Sequence, residues 1–143
     1  MKKQVYIVID GKPVGKGRPR FTRTGHSFTP EQTREYEEAV RKEYLSETEG
    51  LFSFGPDVPI RLAVTAYYPI AKSNTKVMRE AKIHNLVLPH LAKPDLDNVV
   101  KIVSDALNGT AFHDDTQIVE IFARKRYSER PRVEITLSEA ETA

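Results

Sequence analysis

The run from Lys93 to Asp115 constrains this chain more than any other stretch, because it sets acids on both sides of a segment with helical periodicity. It begins Lys93-Pro94-Asp95-Leu96-Asp97-Asn98, and proline disfavours the helical region for the residue before it, so the approach reads as extended. In an extended segment Asp95 and Asp97 share one side and Leu96 takes the other. From about Asn98 the period becomes helical: Val99, Val103, Ala106 and Leu107 form an apolar stripe with Ile102 on its flank, and Asn108-Gly109 is a stop signal. Asp97 is then the natural N-cap. Lys101 lies one turn along on the same side, Asp105 one turn beyond, and Asp114-Asp115 one connection later.

Each piece alone has a plain structural reading. Asp97 is a helix cap, Asp97 with Lys101 is a surface ion pair in the favoured orientation, and Asp114-Asp115 is a polar turn. Their joint occurrence points to a hard divalent cation, since Mg2+ takes oxygen ligands, commonly one or two carboxylates completed by substrate phosphate and water. There is no cysteine, and His26, His84, His90 and His113 lack zinc-ligand spacing, so the site suits Mg2+, with Mn2+ as the substitute.

The series Lys93-Pro94-Asp95-Leu96-Asp97-Asn98, Lys101, Asp105-Ala106-Leu107-Asn108-Gly109 and Asp114-Asp115-x-Gln117-Ile118-Val119 resembles the RusA family of crossover junction endodeoxyribonucleases, the Holliday junction resolvases of bacteria and their prophages. The match is specific from about 93 to 125 and weaker elsewhere. The resemblance implies that Asp95, Asp97 and Asp115 bind metal and act in catalysis, that Lys101 assists and that Asp114 is accessory. It also implies a homodimer acting on four-way DNA junctions in recombination and repair, in a bacterial cytoplasm at the nucleoid, with a prophage origin open. The longer stretch at 70–92 and the arginine and lysine content after the first strand depart from the shortest members.

At 143 residues the chain reads as one RusA-like domain, 1–143, large enough to fold without staples. The absence of cysteine suits a reducing cytoplasm, and neither a signal-peptide core nor a membrane span is evident, so no membrane partner is expected, nor any small-molecule cofactor. The net charge is only +2. Its distribution says more: Lys12, Lys16, Arg18, Arg20 and Arg23 fall in a segment free of acids, and Lys72, Lys76, Arg79, Lys82 and Lys93 precede the motif with Glu80 as the one acid among them. A third cluster comprises Arg124, Lys125, Arg126, Arg130 and Arg132, whereas glutamates gather between Glu31 and Glu49. Such segregation implies one face for phosphate. Lys12, Lys16, Arg18, Arg20, Arg23, Lys72, Lys76 and Lys93 are the candidate DNA contacts.

Along the chain, Val5, Ile7 and Ile9 alternate in a first strand, Gln4 to Asp10. The segment 11–28 is rich in glycine and proline and reads as a basic flexible loop carrying Phe21 and Phe28. Thr29-Pro30-Glu31-Gln32 reads as a capping box opening a helix to about Ser46, its stripe Thr33, Tyr36, Val40 and Tyr44. Ile60, Leu62, Val64, Ala66 and Tyr68 alternate as a second strand ending at Pro69. Within the insertion 70–92, Lys76 to Asn85 reads as a short basic helix with Val77, Ala81 and His84 on one side. Val119, Ile121 and Ala123 mark a third strand, and Val133, Ile135 and Leu137 a fourth, joined by a turn at 128–131. The tail 139–143 is expected to fray. The order β-α-β-α-β-β predicts an α+β fold, a mixed sheet of about four strands backed by two to three helices.

The expected chemistry is Mg2+-dependent hydrolysis of a DNA phosphodiester, resolving junctions by paired symmetric nicks. Two rivals remain, a nuclease for flaps, forks or other branched DNA and a junction-binding protein without cleavage. A phosphatase built on the Asp-x-Asp pair would need that motif directly after a buried strand, and Ala92-Lys93-Pro94 intervenes. Whether Asp115 acts in its own subunit or in a partner is open at this stage.

Overall fold

The computed structural model describes residues 3–142. Period-two alternation builds its sheet. In β4 (Ile60–Pro69) Ile60, Leu62, Val64, Ala66 and Tyr68 are buried while the residues between them are half-buried. The same rhythm buries Val5, Ile7 and Ile9 of β1 (Gln4–Asp10) and Val133, Ile135 and Leu137 of β6 (Arg132–Glu139). β5 (Ile118–Ser128) completes a mixed sheet of order β1-β6-β4-β5, parallel only between β4 and β5. β5 and β6 are joined by the short turn expected at 128–131, yet they are not neighbours, because β4 lies between them.

Two helices cover one face. In α1 (Glu31–Thr48) Thr33, Tyr36, Val40 and Tyr44 are buried, the stripe expected from the sequence. The capping box at Thr29 does not form: Pro30 is the N-cap and no side chain caps the helix. Thr33 instead accepts a hydrogen bond from the Gly17 N–H at 3.1 Å. In α3 (Leu96–Leu107) Val99, Ile102, Val103, Ala106 and Leu107 are all buried, and the helix stops before Gly109, whose φ of +82° suits glycine. α1 and α3 pack on one another and, with the sheet, enclose one continuous core. Fully burying side chains such as Val103 or Ile102 contributes about 1.5–3 kcal/mol each.

Three further expectations need correction. The segment 11–28 is not a featureless loop: β2 (Arg20–Phe21) and β3 (Ser27–Phe28) form a small antiparallel ribbon. The short helix expected over Lys76 to Asn85 forms as α2 (Lys76–Ile83), capped by Thr75, but it is shorter and none of its residues is fully buried: Val77 is 81 % exposed and Ala81 half-buried. The tail is held further than expected, since Glu139 ends β6 and Ala140 is buried with its N–H donating to Pro59 O. Residue 143 lies outside the described residues.

Candidate active site

The approach to α3 is clamped from three directions. The Tyr68 hydroxyl, on β4, donates to Pro94 O at 2.6 Å, and Lys125 Nζ, on β5, donates to Ala92 O at 2.6 Å. On the third side the N-terminal arm runs against the motif, and the Lys16 N–H donates to Asn98 O at 3.0 Å. A Cβ at Gly15 would stand 2.7 Å from Pro94 Cβ, so only glycine allows this approach. The Lys93–Pro94 peptide is cis.

These contacts place Asp95, not Asp97, at the N-cap of α3, and the extended alternation expected of the two acids gives way to a helix that starts at Leu96. Asp97 sits in the first turn. Both are exposed at the positive end of the helix dipole, which favours carboxylates. Asp95 Oδ1 lies 2.8 Å from Lys93 Nζ. That hydrogen bond and charge, with Lys125 further off, hold its carboxyl below the usual carboxylate range. The surface pair expected between Asp97 and Lys101 does not form. Lys101 is exposed and, among the described residues, has no acidic partner within 4.0 Å.

Asp114 and Asp115 lie beyond the other end of α3. Asp114 caps a single 3-10 turn (Asp115–Gln117), accepting from the Thr116 N–H at 3.1 Å. Gln117 holds this turn with four hydrogen bonds: Oε1 accepts from His113 N and Asp114 N, and Nε2 donates to Gly55 O and Val58 O. Backbone donation from Thr116 pulls the Asp114 carboxyl below its ordinary value, whereas the hydrogen bond and charge of Asp114, with Asp105 behind it, push Asp115 above its own.

The acids therefore form two pairs at opposite ends of a helix of 12 residues, about 18 Å long. Among the described residues no group of three acids or histidines converges on a common point. The chemistry of the first pair still fits a hard cation: Asp95 and Asp97 offer carboxylate oxygens only, and Mg2+ commonly needs no more than two from protein.

The basic residues divide. Lys12, Arg18, Arg20, Arg23, Lys72 and Lys76 are exposed and unpaired among the described residues, with Phe21 72 % exposed at the ribbon. Lys16 does not face solvent as a phosphate contact would. Its Nζ lies 2.8 Å from Glu37 Oε2 and 3.1 Å from Asp105 Oδ2, tying the arm to α1 and α3. Lys93 is engaged by Asp95. Tyr68 and Lys125 hold the approach to the motif, whereas the sequence reading had them only as a strand residue and as a member of a basic cluster, not as site residues. Lys125 leaves a trace, since it interrupts the apolar series Ile121, Ala123, Tyr127 that runs in register with the buried residues of β4.

The profile of the endodeoxyribonuclease RusA family matches residues 10–138, nearly the whole chain. The chain belongs to the RusA family. Its relatives include the uncharacterized protein YqaN of Bacillus subtilis (strain 168), 36 % identical over 143 residues, which cover 94 % of this chain and 96 % of YqaN. Another relative, the crossover junction endodeoxyribonuclease rusA of Lactococcus phage r1t, is 31 % identical over 87 residues, 60 % of this chain and 59 % of the phage protein. As a RusA-family endodeoxyribonuclease the chain is a homologue of crossover junction resolvases and a protein of DNA. No helix among its described residues is long and apolar enough to cross a membrane.

Proposed function

We propose that this RusA-family protein is a Mg2+-dependent homodimeric resolvase that nicks four-way DNA junctions symmetrically, with Asp95 and Asp97 as metal ligands and Asp115, which stands at the other end of α3, brought to the same metal across the dimer. The observation that carries the reading is the pair of exposed carboxylates at the start of α3 with an unpaired lysine one turn on. Buried cores and ordinary caps do not need that arrangement; a phosphoryl-transfer site does. The metal, when bound, supplies a nucleophile at neutral pH and neutralises charge on the scissile phosphate.

The chain's own residues do the rest. Asp95, kept ionised by Lys93 and Lys125, and Asp97 present oxygen donors where a phosphate approaches the helix N-terminus. Lys101 places a positive charge beside the developing oxyanion. Asp114 caps the turn that carries Asp115 and so fixes the backbone from which that carboxylate projects. Tyr68 and Lys125 fix the backbone that carries the first pair. Arg18, Arg20, Arg23 and Lys12 on the arm, with Lys72 and Lys76, track the junction arms, so affinity depends steeply on salt. A two-fold dimer matches the two equivalent strands of a junction.

The test is cleavage of a synthetic mobile four-way junction in Mg2+, with flap and duplex substrates beside it and binding followed in Ca2+. Wild type is expected to give paired nicks on the junction, and Asp97→Asn to bind without cutting. Preference for flaps would reassign the substrate, and binding without any cut in Mg2+ or Mn2+ would overturn the enzymatic reading.

A further inference from the structure

The basic cluster at the end of β5 has one member with a structural task and two without. Lys125 donates to Ala92 O at 2.6 Å. Arg124 and Arg126 have no acidic partner within 4.0 Å among the described residues. Arg124 is exposed, its Nε 3.3 Å from Thr65 Oγ1 and its guanidinium 5.7 Å from the Phe122 ring, and Arg126 Nη1 donates to the Lys125 carbonyl at 2.7 Å. Both arginines, with Lys125, line a groove of about 290 Å³. Leu88, Pro89 and His90, from the segment that leads to α3, line it too, and Leu96 comes from the first turn of that helix.

The groove is held in shape by the protein itself. Pro89 is buried, the His90 N–H donates to Leu88 O at 2.8 Å, and the Lys125 ammonium is committed to Ala92 O. The exposed lining is mostly carbon, and beside it stand two guanidinium groups whose charge no acid neutralises. A phosphate alone needs no apolar floor, and a duplex passing by keeps its bases stacked inside. An unstacked nucleobase needs both, apolar surface for its ring faces and positive charge for the phosphates that flank it. At 290 Å³ the groove falls just under the range of about 300–1,000 Å³ for small-ligand pockets, a size for one base rather than a run of strand. Its place decides which base. Leu96 stands between Asp95 and Asp97, so the groove opens beside the first acid pair.

We propose that this groove receives one unstacked base of the cut strand, from the nucleotide next to the scissile phosphate, with Arg124 and Arg126 on the phosphates flanking it. The assignment rests on reading Asp95 and Asp97 as the nuclease site. Unstacking costs least where pairing is already broken, as at a crossover, so the groove favours a junction centre over continuous duplex. Branch recognition then takes place at the reacting centre as well as along the arms.

The test places 2-aminopurine, in turn, at each nucleotide next to the crossover of an immobile junction, and follows fluorescence as wild type binds in Ca2+. A rise is expected at one position, beside the nick mapped in Mg2+, with none at probes in the arms. Leu88→Asp, at an exposed position outside the core, should abolish that rise. It should also lower single-turnover cleavage by about 5- to 100-fold, the effect of losing one stacked base. Removing the same base from the DNA should cost wild type a similar factor, and Leu88→Asp should lose nothing more on the abasic junction, because base and groove act as one unit. Arg124→Gln combined with Arg126→Gln should make the salt slope of junction binding shallower by about two, one for each phosphate. Cleavage by wild type with no rise at any position, losses that multiply on the abasic junction, or an unchanged salt slope each overturn the proposal. If wild type does not cut in Mg2+ or Mn2+, the resolvase reading fails instead, and base capture is still read from the fluorescence in Ca2+.

Discussion

Replacing Lys16 by Met separates two roles that the same residue could play. The side chain keeps its aliphatic stem and loses the ammonium that stands 2.8 Å from Glu37 and 3.1 Å from Asp105. The three side chains are 22 %, 12 % and 31 % exposed, so the cluster is shielded but not dry. Exposed pairs contribute about 0–1 kcal/mol, and removing one partner of a buried pair costs about 3–5 kcal/mol. An intermediate loss of about 2 kcal/mol is expected here, with two carboxylates left facing each other. An unfolding entropy of about 2.1 cal/mol/K per residue gives this 143-residue chain about 0.3 kcal/mol/K, hence a Tm lower by about 7 °C. Burial pulls the Lys16 pKa down, but hydrogen bonds and charge from Glu37 and Asp105 outweigh it and hold the folded value above the ordinary one. Its stabilisation is therefore fully present below the ordinary lysine value and is lost only as pH rises through the folded one. Differential scanning calorimetry at pH 7 should show the full deficit, and the two proteins should converge only in strong alkali. A Tm within about 1 °C of wild type, together with weaker junction binding and a salt slope shallower by about one, would refute the structural role and return Lys16 to the phosphate contacts.

Lys101→Met should lower single-turnover cleavage by about 10²- to 10³-fold with junction binding in Ca2+ little changed, as expected for a group acting on developing charge; a pure affinity loss would reassign it to DNA docking. Gln117→Ala removes four hydrogen bonds and takes that partner from the His113 and Asp114 N–H groups and from Val58 O, while Gly55 O keeps only the Val58 N–H. About 2–3 kcal/mol should be lost in urea unfolding, with cleavage reduced alongside because the turn bearing Asp115 loosens; unchanged stability would count against this role. In the metal-free protein, carboxyl NMR titration should find Asp115 taking up a proton at higher pH than Asp95, because Asp114 raises the one and Lys93 lowers the other. The reverse order would contradict the geometry of both pairs.

Much of this could be read directly from the sequence, for an identifiable reason. Alternation at Ile60 to Tyr68 and the stripe Thr33, Tyr36, Val40, Tyr44 record burial on a single face, and burial is what sequence period encodes. The boundary of α3 was less legible. Two aspartates one residue apart both satisfy cap preferences, and the choice of Asp95 depends on Tyr68, Lys125 and Gly15 holding the residues before it. Sheet order was not legible at all, since a short turn between β5 and β6 suggests a hairpin, and only the packed core reveals β4 between them. The ion pairs of Lys16 were not legible because a lysine among arginines and glycines looks solvated until Glu37 and Asp105 arrive from elements distant in the chain.

The position of β6 also governs when the sheet can exist. Every residue of β1 pairs with β6, Gln4 with Ser138 at one end and Asp10 with Arg132 at the other, and β4 finds its antiparallel neighbour in the same strand. Until that strand is available the first strand has no partner and the helices have only a fragment of sheet to cover. Such a topology forms its ladder through contacts of very long sequence separation, which slows folding relative to helical chains of equal size. During synthesis the acids at 95, 97, 114 and 115 leave the ribosome well before β6 does, so a nascent chain carries the residues of a nuclease without the scaffold that aims them.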